Sequence, residues 1–244
     1  GGSKLNKFQI RVSTIGFGLA PFIFDWQDVS VTIAGTTYYT KNWSLSQTQW
    51  ELLDDGTNYV SVRVIDNAFS TTTLTNAFYI LKDTQPPTAT ASAPAYSSND
   101  TFDVSYTVVD YGYSGIKFVK LYYTLQTASP YTYTLYITTT SNPISFTAVS
   151  EGKYGFKIVA YDYAGNTDEQ DPPSSSSPPE STTTVDLTAP QVNNQQTGDD
   201  VWRKEPKPDG YAVYFNDSGS GLDSAQYIIR AGPNETDDVL KDWT

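Results

Sequence analysis

Apolar and polar residues alternate with period two along most of this chain. The clearest run is Tyr154, Phe156, Ile158 and Ala160, set between the turn at Glu151–Gly152 and the loop Asp162–Asn166. Such alternation turns one face of a β-strand to a core. A weaker copy lies upstream, where Val60, Val62 and Val64 alternate between Asp55–Gly56 and Asp66–Phe69. In both copies the turn glycine precedes the loop aspartate by 10 residues, Gly56 to Asp66 and Gly152 to Asp162. One strand-and-loop unit used twice marks a repeat protein.

The same pattern orders the rest. In the first unit, residues 1–85, strands are expected over Lys7–Ser13, over Val29, Val31 and Ile33, over the Val60 run and over Thr71–Leu81, with Ile15–Phe24 as a loop packed on the core. Trp43, Leu45 and Trp50 lead to the hairpin-type turn at Asp54–Gly56. No segment has a convincing period of 3.6, so the class is all-β. Asp83–Pro87 ends the unit, because paired prolines fix φ and remove ladder donors. The second unit, 86–188, gives strands at Phe102–Val109, Lys117–Leu125, Tyr131–Thr138, Ile144–Ala148, the Tyr154 run and Thr182–Val185. The polar stretch Asn166–Ser181 is expected to be a long loop within this unit, its Ser/Pro part Pro172–Ser181 either glycosylated or, by default, merely flexible.

Asp186–Pro190 repeats the Asp-x-x-x-Pro form of the first boundary 103 residues later and opens a third unit, 189–244. Phe215–Leu222 matches Val109–Ile116 at an offset of 106, and Tyr227–Ile229 reads as the following strand. No copy of the Tyr154 run follows. About 55 residues make a poor core, so the third unit is expected to be incomplete, its remaining strands supplied by further sequence or by a partner chain.

Composition narrows the chemistry. A net charge of -12 repels nucleic acid and anionic membranes and attracts divalent cations. The chain has no cysteine and no histidine, which removes disulfides, thiolate catalysis and the commonest general base and transition-metal ligand. No apolar run is long enough to cross a membrane as a helix, and Gly1–Gly2–Ser3 lacks the features of a signal peptide. A glycosidase needs two positioned carboxyls, whereas Glu51, Glu151, Glu169 and Glu205 read as solvated loop acids. The chain is therefore expected not to be an enzyme. Sequons at Asn42, Asn99, Asn216 and Asn234 are near the number chance provides in so Ser/Thr-rich a sequence.

Gly152-x-Tyr154, the alternating apolars, Asp162-x-Ala-Gly-Asn166 and then Val185-Asp-x-Thr-x-Pro190 together resemble the immunoglobulin-like, cadherin-like repeats of large bacterial and archaeal surface proteins. Ser114-Gly-Ile116 followed by Val119, Leu121 and Tyr123 fits their second and third strands. The first unit departs from the pattern, with Asn58 in place of Tyr154 and Asn67–Ala68–Phe69 in place of Tyr–Ala–Gly. The resemblance implies tandem immunoglobulin-like β-sandwiches, a secreted or cell-surface location, and a non-enzymatic stalk, spacer or adhesive role. Its partners would be neighbouring domains or copies of the same protein. Two other functions stay open: a subunit of a filament or S-layer-like assembly with strand exchange, and a carbohydrate-binding module recognising cell-surface glycans.

In that topology the loop after strand B, the loop after strand F and the incoming linker share one end of a sandwich. For the second unit these bring Asp110, Asp162, Asn166 and Asp83 together as candidate Ca²⁺ ligands; Asp186, Asn216 and Asp217 are the corresponding set at the third. The competing account is that these side chains cap turns through Asx hydrogen bonds and need no ion. Trp26, Trp43, Trp50, Tyr38 and Tyr39, or Tyr122, Tyr123, Tyr131, Tyr133 and Tyr136, are candidates for a sugar-stacking platform, against the ordinary use of aromatics as core and cross-strand pairs.

Overall fold

The computed structural model describes residues 2–29, 31–196, 202–233 and 236–243. Strands β1 (Leu5–Ser13), β2 (Phe22–Asp28), β3 (Gly56–Asp66) and β4 (Thr71–Lys82) form one antiparallel sheet in the order β2-β1-β3-β4. Ile10, Val12, Phe24 and Val60 from its inner face close a small core with Leu53, and Val29, Trp43 and Leu45 pack on it. The strand expected at Val29–Ile33 does not form. Val29 and Ile33 lie outside any described strand, though Ile33 is still buried. Val29, Trp43 and Leu45 thus cover the sheet from outside any described strand. Conversely, Phe22–Phe24, expected in a loop, belong to β2.

One short helix, α1 (Gln47–Leu52), was hidden from a search for long periodicity. Its start is written locally: the Ser46 hydroxyl accepts from the Gln49 N–H while the Gln49 side chain accepts from the Ser46 N–H, a reciprocal capping box.

Residues 88–185 build a two-layer sandwich. One sheet holds β10 (Ile144–Thr147), β7 (Thr101–Val109) and β5 (Thr88–Ser92), in that order. The other runs β6 (Tyr96–Ser97), β12 (Ser181–Val185), β11 (Gly152–Asp162), β8 (Ile116–Thr124), β9 (Thr134–Thr139). The first strand divides, β5 serving one sheet and β6 pairing in parallel with β12 in the other. This is the immunoglobulin-like arrangement of strands A, B and E facing C′, C, F and G. Val104, Tyr106, Ile144 and Phe146 meet Val119, Leu121, Tyr154, Phe156, Ile158 and Ala160 across the core. The whole Tyr154 run is fully buried. Phe146 lies at the centre of the aromatic contacts, edge-on to Tyr123, Tyr154 and Phe156 at 5.4, 5.5 and 4.8 Å.

β11 is also buried on its outer face, and the reason lies in the loop 163–181. That loop lies down on the sheet as a strap. Asp171 accepts from Lys120, Tyr122 and Tyr161, and Lys157 pairs with Glu169 at 2.8 Å and Glu180 at 3.3 Å. Beyond β12, no strand among the described residues lies beside the β11 edge. Glu180 accepts from Ile158 N–H at 3.2 Å and Asp168 from Ala160 N–H at 2.8 Å, so carboxylates stand in for a ladder. Pro179 sits where a side chain at residue 155 would be, 2.5 Å from a built Cβ, which is why Gly155 is needed. The expected flexible loop is a pinned one.

Past residue 190 the described residues form two small antiparallel pairs, β13 (Gln191–Asn194) with β14 (Val213–Asn216) and β15 (Ile229–Arg230) with β16 (Val239–Lys241). Their residues are almost all exposed, Val192, Tyr214, Phe215 and Leu240 among them. The third unit is an incomplete sandwich.

Candidate functional site at the joints

The sharp turns at the end of the sandwich decide the geometry. After β7, Asp110 accepts from Gly112 N–H at 2.8 Å and Gly115 N–H at 2.7 Å, closing the loop Asp110–Gly115 on its own carboxylate. After β11, fully buried Asp162 accepts from Gly165 N–H at 2.6 Å and Asn166 N–H at 2.8 Å. Gly165 takes φ 96°, the left-handed conformation this loop requires. Tyr163 N–H bonds Gly115 O at 3.0 Å and joins the two loops.

Into this frame comes the linker. Asp83 accepts from Tyr113 N–H at 3.0 Å, Ser114 N–H at 2.7 Å and, within its own turn, Gln85 N–H at 3.0 Å. A Cβ on Gly112 would lie 2.3 Å from an Asp83 carboxylate oxygen, so Gly112 makes the room. Burial acts to raise the Asp83 carboxyl, but hydrogen bonds from Ser114, Gln85 and Tyr113 outweigh it and hold the group below the ordinary carboxylate value.

One carboxylate oxygen each from Asp83, Asp110 and Asp162 lies within 4.8 Å of the other two. At an effective dielectric of about 20, two such charges repel by roughly 3 kcal/mol. Eight N–H donors converge on the three groups and offset this repulsion. Asn166 is the fourth expected ligand, and it presents nitrogen. Its Nδ2 donates to Asp162 Oδ2 at 2.7 Å, Asp83 O at 3.2 Å and Gln85 O at 3.4 Å, which ties the loop to the linker backbone. A hard cation takes oxygen, about six to eight of them for Ca²⁺. Three carboxylates beside the carbonyls of Asp83 and Gln85 are a donor set of that kind; Asn166 in this orientation is not part of it.

The linker is also held from the upstream side. Asp55, next to the turn glycine, accepts from Thr84 N–H at 3.1 Å and Thr84 Oγ1 at 2.9 Å. The second joint repeats both halves. Glu151, again next to the turn glycine, accepts from Leu187 N–H and Thr188 Oγ1, each at 2.8 Å. Asp186 accepts from Ser220 N–H at 2.5 Å and Thr188 N–H at 3.1 Å. These bonds, Ser220 first, hold its carboxyl below the ordinary value. Gly219 makes the room that Gly112 makes, a built Cβ there lying 2.3 Å from Asp186 Oδ2.

Asp217 takes the place of Asp110, accepting from Gly219 N–H at 2.8 Å and Gly221 N–H at 3.2 Å. Asn216 is the last residue of β14, paired with Gln191 and exposed, and does not correspond to Asp110. The gapless offset misled here, because Asp217–Gly221 is one residue shorter than Asp110–Gly115 and lacks an equivalent of Tyr113. Among the described residues no third acid joins Asp186 and Asp217.

The first unit keeps the loop despite its departures. Asp66 accepts from Ala68 and Ser70 N–H groups at 2.8 and 2.9 Å, and Phe69 takes the left-handed position, φ 65°, that glycine fills in the second unit. Asn58 replaces Tyr154 functionally as well. The Tyr154 hydroxyl donates to Ser150 O at 2.8 Å and accepts from Val149 and Ser150 N–H groups, the tyrosine corner of such sandwiches. Asn58 Nδ2 donates to Asp54 O, also four residues back and also at 2.8 Å.

The aromatic candidates scatter. Trp26 lies between Arg11 and Arg63, whose guanidinium carbons stand 4.6 and 4.4 Å from its ring. Trp43 packs edge-on to Phe8, Tyr39 packs on the same ring, and Tyr123 and Tyr136 pack on Phe146. Tyr122 is buried, and Tyr133 donates to Ser177 O beneath the strap. Tyr38 and Trp50 are exposed, and the Tyr131 ring lies tilted beside Tyr133, 6.1 Å between centroids. Of the glycosylation sequons, Asn42, Asn99 and Asn216 are exposed and Asn234 lies outside the described residues. Among the described residues no helix is long and apolar enough to cross a membrane.

No protein-family model matches this sequence, and no curated protein matches it. Among solved structures it is similar to the fibronectin(III)-like modules of Clostridium thermocellum CbhA, at 13% identity and a TM-score of 0.32, over 76% of this chain and 79% of that one.

Proposed function

We propose that this chain is a structural segment of an extracellular repeat protein, a non-enzymatic stalk or spacer whose stiffness comes from its joints. The units are residues 1–85, 86–188 and 189–244. One observation carries the reading: the same two-sided clasp on the linker occurs twice, with Asp55 and Glu151 holding it from upstream and Asp83 and Asp186 hooked into the next loop downstream. A freely jointed linker needs no such bonds. A spacer that must hold its length does, and repetition at a second joint speaks for a use beyond local turn capping.

Ca²⁺ is the ion this chemistry would take at the first joint, through Asp83, Asp110 and Asp162, where it would neutralise three clustered carboxylates. An ion at 100-fold excess over its Kd would add about 2.7 kcal/mol to the joint. Thermal melting and small-angle scattering with Ca²⁺ and with EGTA test this. A raised midpoint and an unchanged or longer maximum dimension with Ca²⁺ support ion binding. Identical curves in both buffers leave the hydrogen-bonded clasp as the whole of the joint.

A further inference from the structure

The first joint contains a cleft that its clasp does not need. The cleft measures about 390 Å³ and is walled by both units, with Thr57 and Leu81 on one side and Tyr113 and Tyr163 on the other. Small-molecule sites have this size and favour such interfaces. Tyr113 reaches across the joint, its ring 3.4 Å from where a Cβ on Gly56 would stand. Even so, Leu81, Tyr113 and Tyr163 are 68%, 73% and 68% exposed, and large apolar surface left open around a cavity marks a binding groove. The second joint shows that the aromatic wall is surplus to the clasp. There Asp186 is held by the Ser220 and Thr188 N–H groups in a loop without a counterpart of Tyr113.

The walls select the occupant. Two charged residues line the cleft, and both are engaged. Lys82 Nζ donates to Leu53 O at 2.6 Å and Trp50 O at 3.2 Å, while Asp83 accepts from three N–H groups. An ionic ligand would find no free partner here, and an unpaired charge is costly to enclose. The Lys82 ammonium disfavours a cation, and the net charge of -12 disfavours an anion. What is free is amphipathic. The hydroxyls of Thr57, Tyr113 and Tyr163 have no hydrogen-bond partner among the described residues, and neither tyrosine ring contacts another ring. Each tyrosine thus offers an apolar body with a polar tip. A pyranose is the complement, with a C–H face to lie on a ring and a rim of hydroxyls for the tips. We propose that the cleft binds a neutral sugar ring on Tyr113 and Tyr163, with Thr57 at its rim. This goes beyond the stalk reading and needs no ion.

Nitrogen–proton correlation spectra of the full chain, recorded in EGTA, test this. The probes are methyl pyranosides and neutral tetrasaccharides of glucose, galactose, mannose, xylose and N-acetylglucosamine. At least one should shift the amides of Thr57, Leu81, Ser114 and Ala164 together and saturate at millimolar concentration. Equal affinity for glycoside and tetrasaccharide marks a single ring as the ligand; tighter binding of the tetrasaccharide marks a glycan chain. Tyr163→Ala should weaken binding about tenfold, as should Tyr113→Ala. Tyr111→Ala, at an exposed position of the same loop outside the cleft, should leave it unchanged. Because Tyr113 also leans on Gly56, Tyr163→Ala is the deciding variant. Spectra that no saccharide moves overturn the proposal. So do shifts away from the cleft, binding that Tyr163→Ala retains, or a response to choline that no saccharide produces.

Discussion

Replacing Gly112 with alanine should open the first joint without touching either core. The backbone at Gly112 is not left-handed, so alanine is tolerated there in itself. The added Cβ would sit 2.3 and 2.5 Å from the two Asp83 carboxylate oxygens and 2.7 Å from Cγ, a clash that the Asp83 side chain relieves only by leaving its place. Asp83 must swing out and lose the N–H bonds from Tyr113 and Ser114. Bonds to a charged acceptor contribute about 1.5–3 kcal/mol each when well buried, and these are only partly so; a loss of about 2 kcal/mol for the pair is reasonable. That multiplies the population of the open joint roughly 30-fold. Spin labels on cysteines placed at exposed Tyr38 and Leu135, one in each unit, read the change as a broadened distance distribution in electron–electron resonance. Gly219→Ala, with the same clash at the second joint, should leave that distribution unaltered. A Gly112→Ala distribution as narrow as wild type would show that the clasp does not hold the joint.

Other consequences are simpler to measure. Tyr154→Phe removes three hydrogen bonds and strands two N–H groups at the turn; a loss of about 1–3 kcal/mol should appear in denaturant melts. Phe69→Gly relieves a left-handed phenylalanine that is 78% exposed and should stabilise the first unit by about 0.5–1 kcal/mol, whereas a loss there would mean that Phe69 packs on something. Burial lifts the Asp168 carboxyl to about 6, so the folded chain binds a proton there more tightly than the unfolded one, and its cost to stability develops as pH rises from about 4 to 6. Asp168→Asn should therefore gain midpoint relative to wild type across that window and hold the gain above it. Asp83 and Asp186 have the opposite sign: their lowered carboxyls stabilise the joints at neutral pH, and that contribution fades as acid protonates them. Scattering should show a more compact or more variable particle at low pH.

The strand at the heart of the second unit was readable because its alternation is strict and its partners are other strands. The convergence of Asp83, Asp110 and Asp162 was readable too, since a repeat and a topology fix which loops share an end. The other half of each joint was not. Asp55 and Glu151 look like ordinary turn acids, and their partners lie 29 and 36 residues on; only their shared place before a turn glycine, in both copies, marks them. The strap is legible as a long loop but not as a pinned one, because its prolines and serines suggest flexibility, while its four anchoring acids declare themselves only once the sheet beneath is known. An ungapped match sets Asn216 at the place of Asp110, beside Asp217, because the third unit's loop is one residue shorter. Ser46-x-x-Gln49 did encode a helix start, and six residues were simply too few for a periodic signal.

Nuclear relaxation of backbone amides in β1–β4 and in β5–β12 tests the central claim most directly. If the clasps make the array stiff, the two groups report one anisotropic rotational diffusion tensor, and Gly112→Ala splits it in two. Two independent, faster tumbling times in the wild-type chain would contradict the account.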